Sequence, residues 1–404
     1  MAVAMAVEAR REGGESTALA MRQDIGPWRV GDEGLVAGPG SARAVCSGTL
    51  GSLIDREDLL AVARALPPLP PVQQRLTKIL ALPDDAIDLA ALVDCFRHDP
   101  ALAVAVVRES NERRFALAQS GLDPQTVSAV DPVGAGAAAS GKSGLGGAPP
   151  AQFGVLDQAA VGVHQAVSVD PVRDVDEALA YIGRERAIEI ARRVVASART
   201  ASANGDVYGA TGNDLWRHSV MSALAAELIV DTANAGDPAE AVLAALIHDI
   251  GKLLLCRYLT PNIVQLLKLA AENDGFSEVE AELEVLQAHH GEVGALVLGT
   301  WRFSLSTLLA VQHHHNPEIG FDPACTIVAL ADVVAHDLAA GAALGSGVGV
   351  GSPVCDGGLD DDNQRSGQRA QLLGELAIDP EAYGIVIRTT AARFAHLARR
   401  FDLA

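Results

Sequence analysis

Apolar residues recur every three or four positions through most of this chain, as in "REDLLAVARAL" (56–66), "VQQRLTKILAL" (72–82), "DLAALVDCFRH" (88–98) and "PALAVAVVRES" (100–110). That spacing gives each segment one apolar stripe if it is helical and none if it is extended. β-branched runs are short and sit inside such periods, so the chain is expected to be all-α, a multi-helix bundle. The punctuation agrees. Pro67, Pro68, Pro70 and Pro71 stop one helix and prepare the next, and Asp84-Asp85 and Asp99-Pro100 mark helix starts.

Where the period fails, segments of another kind are expected. Residues 1–52 lack sustained periodicity and read as a disordered arm. Residues 119–169 form a flexible, low-complexity Gly/Ala-rich insertion in a main domain of 53–343. Inside it "GAAASGKS", Gly136 to Ser143, fits the phosphate-loop pattern. That pattern has a mechanism only between a strand and a helix. Asp131-Pro132 before it and "GLGGAPP" after it supply neither, so the match is read as chance. Residues 344–368 read as a flexible linker, and 369–404 as a C-terminal helix packing on the main domain.

Fifty-one acidic against 31 basic residues give a net charge of −20, which repels nucleic acid and anionic membranes as partners. A phosphate-bearing small molecule stays possible, because a bound metal reverses the sign locally. The cysteines at 46, 95, 256, 325 and 355 form no C-x-x-C pair, as in a reduced, cytoplasmic protein. No signal peptide and no uncharged stretch of transmembrane length stands out.

Chemistry concentrates in one region: eight of the 11 histidines lie between residues 218 and 336. His218 lies on a helix, sharing a face with Leu215, Met221 and Ser222, and alone reads as a core histidine. In "AALIHDIGKLLL" (244–255), His248 and Asp249 fall in the middle of an apolar helix started by Asp237 and Pro238. Adjacent residues on a helix splay by about 100°, so both face one cavity only by converging on something between them. A divalent cation is one partner that satisfies a buried carboxylate; an internal His-Asp hydrogen bond with a snorkelling Lys252 is the other reading. Gly251 lowers helix stability, which suggests that something approaches the backbone there. Lys252, four residues past His248, stands where a cation meets a phosphate oxygen.

Further on, His289 and His290 precede Glu292, while His313, His314 and His315 close a helix before Asn316-Pro317. Asp332 sits among Ala, Val, Ile and Leu. Imidazoles and carboxylates converging from several helices are how bundles build metal sites. This set suits one or two divalent ions, Fe, Mn, Zn or Mg.

The order His218, His248-Asp249, Asp332 resembles the H…HD…D signature of the HD-domain phosphohydrolase superfamily. "LPPLP" (66–70), "HDPALAVAVVRESN" (98–111), "DVDEALAYIG" (174–183), "HGEVGALVLGTW" (290–301) and "VQHHHNPE" (311–318) together resemble an HDOD domain. The resemblance spans about 66–118 and 170–341, so it assigns the main domain. It implies an all-α module of bacterial signalling proteins, many of which have lost metal ligands and serve as outputs without established catalysis.

Here His218, His248, Asp249 and Asp332 are all present. His290 resembles the histidine before the "EVGA" segment of HD-GYP phosphodiesterases, and His314-His315 their paired histidines. After the pair comes "NPEIGF", not a GYP motif, and Glu112 replaces the serine common after Asn111. The implied ligand set is therefore His218, His248, Asp249, His290, His314, His315 and Asp332. Asp249 and Lys252 would carry catalysis on a phosphate-containing small molecule. The alternative is a non-catalytic module that binds a signalling partner protein or nucleotide. Of the other two His-Asp pairs, Asp99 becomes an N-cap with His98 on the surface, and His336 is a structural residue or an outer partner of the site.

Overall fold

The computed structural model describes residues 28–31, 34–37, 56–120, 169–198, 206–207, 210–256, 258–259, 263–265, 267, 277–346 and 361–402. The phosphate-loop match and most of the arm, insertion and linker lie outside them. Apart from two short antiparallel hairpins, the described elements are helices. One hairpin pairs β1 (Trp28–Gly31) with β2 (Gly34–Ala37) and belongs to a unit of its own.

In the other unit, α1 (Arg56–Arg64), α2 (Pro70–Leu80), α3 (Leu89–Arg97) and α4 (Pro100–Gln119) come first, then α5 (Val175–Ile182) and α6 (Arg184–Ala198). The starts follow from local chemistry. Pro70 opens α2 and Pro100 opens α4, each where a missing N–H costs nothing. Asp99 is fully buried and caps α4 by accepting the Leu102 N–H at 2.9 Å, while also accepting the Leu69 N–H at 2.7 Å. His98 corrects the surface expectation. The Trp216 indole donates to its carbonyl at 2.8 Å and Phe401 stands edge-on to its ring at 6.0 Å, leaving its side chain 17% exposed.

A second short hairpin, β3 (Asp206–Val207) with β4 (Ala210–Thr211), leads into the helices that carry the histidines. These are α7 (Gly212–Ala233), α8 (Pro238–Ile247), α9 (Ile250–Leu255), α10 (Glu278–Leu286), α11 (His290–Thr300), α12 (Leu305–His313), α13 (Pro317–Gly320) and α14 (Pro323–Ser346). Helices α15 (Asp361–Glu375) and α16 (Pro380–Arg400) complete the unit, α16 lying along α7.

Helix α14 is central, packed on α7, α8, α12 and α15. The contact is built largely from small residues: Ala225, Ala226, Ala241, Ala244, Ala245, Ala310 and Ala331 meet Ile229, Val328 and Leu330. Short side chains bring helix axes close together, so polar groups projecting from several helices can meet. By length and composition alone, Pro323–Ala340 passes for a membrane span, but 56% of it is buried within the bundle and Asp332 lies on it.

Candidate metal centre

The chain does not run as one helix through His248-Asp249. Helix α8 stops at Ile247, the two residues form a turn, and α9 begins at Ile250. Asp249 has φ −92° and ψ 12°, and its carbonyl accepts the Lys252 N–H at 2.9 Å. The turn removes the splay that an unbroken helix imposes, so both side chains converge.

One cluster gathers around Asp332 of α14. His218 Nε2 lies 3.0 Å from Asp332 Oδ1 and 3.1 Å from His248 Nε2. Asp249 Oδ2 is 3.6 Å from His218 Nε2 and 3.5 Å from His248 Nε2, and His248 Nε2 is 3.6 Å from Asp332 Oδ1. A second cluster faces the other oxygen of Asp249. His290 Nε2 lies 3.3 Å and His314 Nε2 3.9 Å from Asp249 Oδ1. His290 Nε2 is also 3.3 Å from His314 Nε2 and 3.0 Å from His315 Nε2. All seven residues named from the sequence as ligands thus lie in two adjoining clusters joined by one carboxylate. Lys252, 7% exposed, reaches Asp249 Oδ2 at 3.2 Å and Glu278 at 3.0 Å.

Do these groups suit a metal? The second cluster answers through its tautomers. His290 Nδ1 donates to Glu282 Oε2 at 2.8 Å and His314 Nδ1 to the Val311 carbonyl at 2.9 Å. Each neutral ring then carries a bare lone pair on Nε2, and the two lone pairs face one another at 3.3 Å. Burial holds both rings neutral, His290 pushed down to about 3 and His314 well below the usual range; His315 follows for the same reason. A cation among them would make that arrangement attractive. Asp249 Oδ1, which faces them, is buried and makes no hydrogen bond.

In the first cluster, burial opposes charge on His248, but Asp249 and Asp332 outweigh it and raise the ring to about 9. Burial likewise opposes ionisation of Asp249 and Asp332. Lys252 with nearby imidazoles, and His336 with His218, overcome it and hold both carboxyls well below the usual range. The position therefore favours positive charge. Two ligands about 2.1 Å from one ion stand about 3.0 Å apart at right angles and about 3.4 Å apart in a tetrahedron. The donor separations above lie close to those values. The nitrogen and oxygen donors fit a divalent cation.

Sequence reasoning missed two groups. Glu282 is fully buried and accepts both the His290 backbone N–H, at 2.7 Å, and its ring N–H. Glu278 holds Lys252. Both are lost among the four glutamates of "EVEAELEVL", where nothing local marks them. His336, read as a structural residue or an outer partner, has Nε2 3.4 Å from Asp332 Oδ1, and its signal was the four-residue spacing from Asp332. Glu282→Gln should weaken metal binding by roughly 10- to 100-fold, as losses of a ligand's hydrogen-bond partner do. Chelator competition measures this, and unchanged affinity would count against Glu282's role.

Gly251 explains how α11 gets so close. A Cβ there would stand 1.8 Å from the His290 carbonyl oxygen, so the backbone carrying His290 rests directly on α9. The expectation that something approaches Gly251 is met by the neighbouring helix.

Residues 167–317 match the family model of the HDOD domain. No curated protein matches the chain. Among solved structures it is similar to the MmoQ response regulator from Methylococcus capsulatus str. Bath, with a TM-score of 0.46, 19% identity, and 71% of this chain and 95% of that one covered. It is also similar to a virulence factor from Campylobacter jejuni subsp. jejuni (TM-score 0.45, 16% identity, 70% and 82% covered). A third is an HDOD domain protein of unknown function from Geobacter sulfurreducens (TM-score 0.36, 18% identity, 86% and 98% covered).

Proposed function

Starting from the HDOD domain that residues 167–317 carry, we propose that this is a signal-transduction protein whose HD-type site binds divalent metal and hydrolyses a phosphate-containing small molecule. The observation that carries the reading is Asp249, whose two oxygens serve two separate histidine clusters. His218, His248, Asp249 and Asp332 would hold one ion, and Asp249, His290, His314 and His315 a second, with Fe, Mn, Zn or Mg as candidates. Bound there, such ions activate water near neutral pH and neutralise charge on phosphate oxygens.

The chain's own residues prepare that chemistry. Lys252 keeps Asp249 ionised, burial keeps His290, His314 and His315 available as lone-pair donors, and Glu282 orients His290. Substrate would approach the first cluster at a rim where its side chains reach solvent: His336 at 29%, His218 at 14% and Asp332 at 13%.

A second reading is a non-catalytic module that docks a partner protein or nucleotide. What favours it is Phe321, 94% exposed just after α13 and close in sequence to His314-His315. Metal analysis of the full chain purified without chelator, with hydrolysis assays on phosphodiester and nucleotide panels, decides between them. Bound metal with turnover that chelation abolishes supports the first reading. Absence of metal sinks it, and metal without turnover on any panel favours the second.

A further inference from the structure

We propose that His336 is itself a metal ligand, added on the open side to the ion position formed by His218 and Asp332. The inference rests on the metal reading above. Ligand-type atoms crowd one point there. Three imidazole nitrogens surround the single oxygen Asp332 Oδ1: His218 Nε2 at 3.0 Å, His336 Nε2 at 3.4 Å and His248 Nε2 at 3.6 Å. At 3.6 Å His248 is beyond hydrogen-bond distance, and separations of 3.0–3.6 Å are those of donor atoms that share one ion. A cation beside that oxygen resolves the crowding, because each nitrogen then faces the ion with its lone pair.

Separations agree with a shared ion. The donor atoms of His218, Asp332 and His336 all lie within 4.8 Å of one another. Ligands about 2.1 Å from one centre span about 3.0 Å when adjacent and about 4.2 Å when opposite. The His218 and His336 rings are tilted by 51° with centroids 4.8 Å apart, so they converge at their edges and do not stack face to face. Helix α14 provides the spacing: a residue four positions past Asp332 returns to the same face one turn on.

His336 is also the most exposed member of the cluster, so it would be the first protein group to meet an incoming ion and the last to release it. Its loss should weaken one ion and speed that ion's departure, leaving the other in place.

The test loads full-length wild type, His336→Ala and His336→Gln with Co(II) alone, and follows visible absorption and competition by a chelator. The expected result is that both variants bind one of the ions roughly tenfold or more weakly, with a changed Co(II) spectrum and faster loss to chelator. Glutamine keeps hydrogen-bonding reach but is a poor ligand, so it should resemble alanine. Wild-type affinity and spectrum in both variants would overturn the proposal, as would full rescue by glutamine. Thermal melts of the metal-free proteins supply the structural control: a loss of stability in the variants without metal equal to the loss with it also overturns it. Failure of wild-type protein to bind Co(II) at all would instead bring down the underlying metal reading, and this proposal with it.

Discussion

Asp249→Ala should empty both ion positions together and reduce any turnover to background. Each oxygen of Asp249 serves one side: Oδ2 lies against His218 and His248, and Oδ1 against His290 and His314. Removing an outer partner such as Glu282 leaves the ligand in place, whereas removing Asp249 deletes a donor from each set. The loss should therefore exceed the roughly 10- to 100-fold expected for an outer partner. The same change strips Lys252, 7% exposed, of the carboxylate 3.2 Å away, while Glu278 stays at 3.0 Å. A modest loss of stability should follow, since a buried ammonium depends on its counter-charges. Metal-to-protein ratio by elemental analysis and turnover under saturating metal are the readouts. Retention of one tightly bound ion by the variant would show that the two clusters do not share this carboxylate.

Gly251→Ala should be the most damaging single methyl group in the site. In an open helix, alanine in place of glycine stabilises by about 1 kcal/mol. Here the new Cβ would lie 1.8 Å from the His290 carbonyl oxygen and 2.6 Å from its carbon, both backbone atoms that no rotamer change can move. Helix α11 would have to shift outward. Overpacking of this kind costs about 1–3 kcal/mol and occasionally more, so the steric term outweighs the propensity gain. The shift also carries His290 away from Asp249 Oδ1, so the second ion should be lost while the first is held. Denaturant unfolding together with metal stoichiometry checks both parts. A stabilised variant with its full metal complement would show that α11 yields easily and that the close approach is incidental.

Much of the helical architecture was legible because its causes are local. An apolar period of 3.6 needs no partner to be read, and Pro70, Asp99-Pro100 and Asp237-Pro238 act on the backbone next to them. The density of histidines between 218 and 336, with two carboxylates in apolar surroundings, pointed to a metal site. The helix break at His248-Asp249 was not legible. Ala, Leu and Ile continue the helical period on both sides, and φ and ψ at Asp249 are decided by what its side chain meets. Glu282 and His98 were missed or misplaced for a related reason, since their partners come from elsewhere in the fold: α11 for Glu282, and α7 and the end of α16 for His98.

By itself, then, the amino-acid sequence determined that the chain is helical, where many helices begin, and which residue types gather between 218 and 336. Only the tertiary structure decided that these residues divide into two clusters about Asp249, that Glu282 orients His290, and that His336 joins the rim. Helical periodicity specifies the face on which a residue lies, but not which face of another helix it meets. That is set by packing: an alanine-lined core that lets α7, α8, α12 and α14 lie close, and a glycine at 251 that lets His290 reach Asp249.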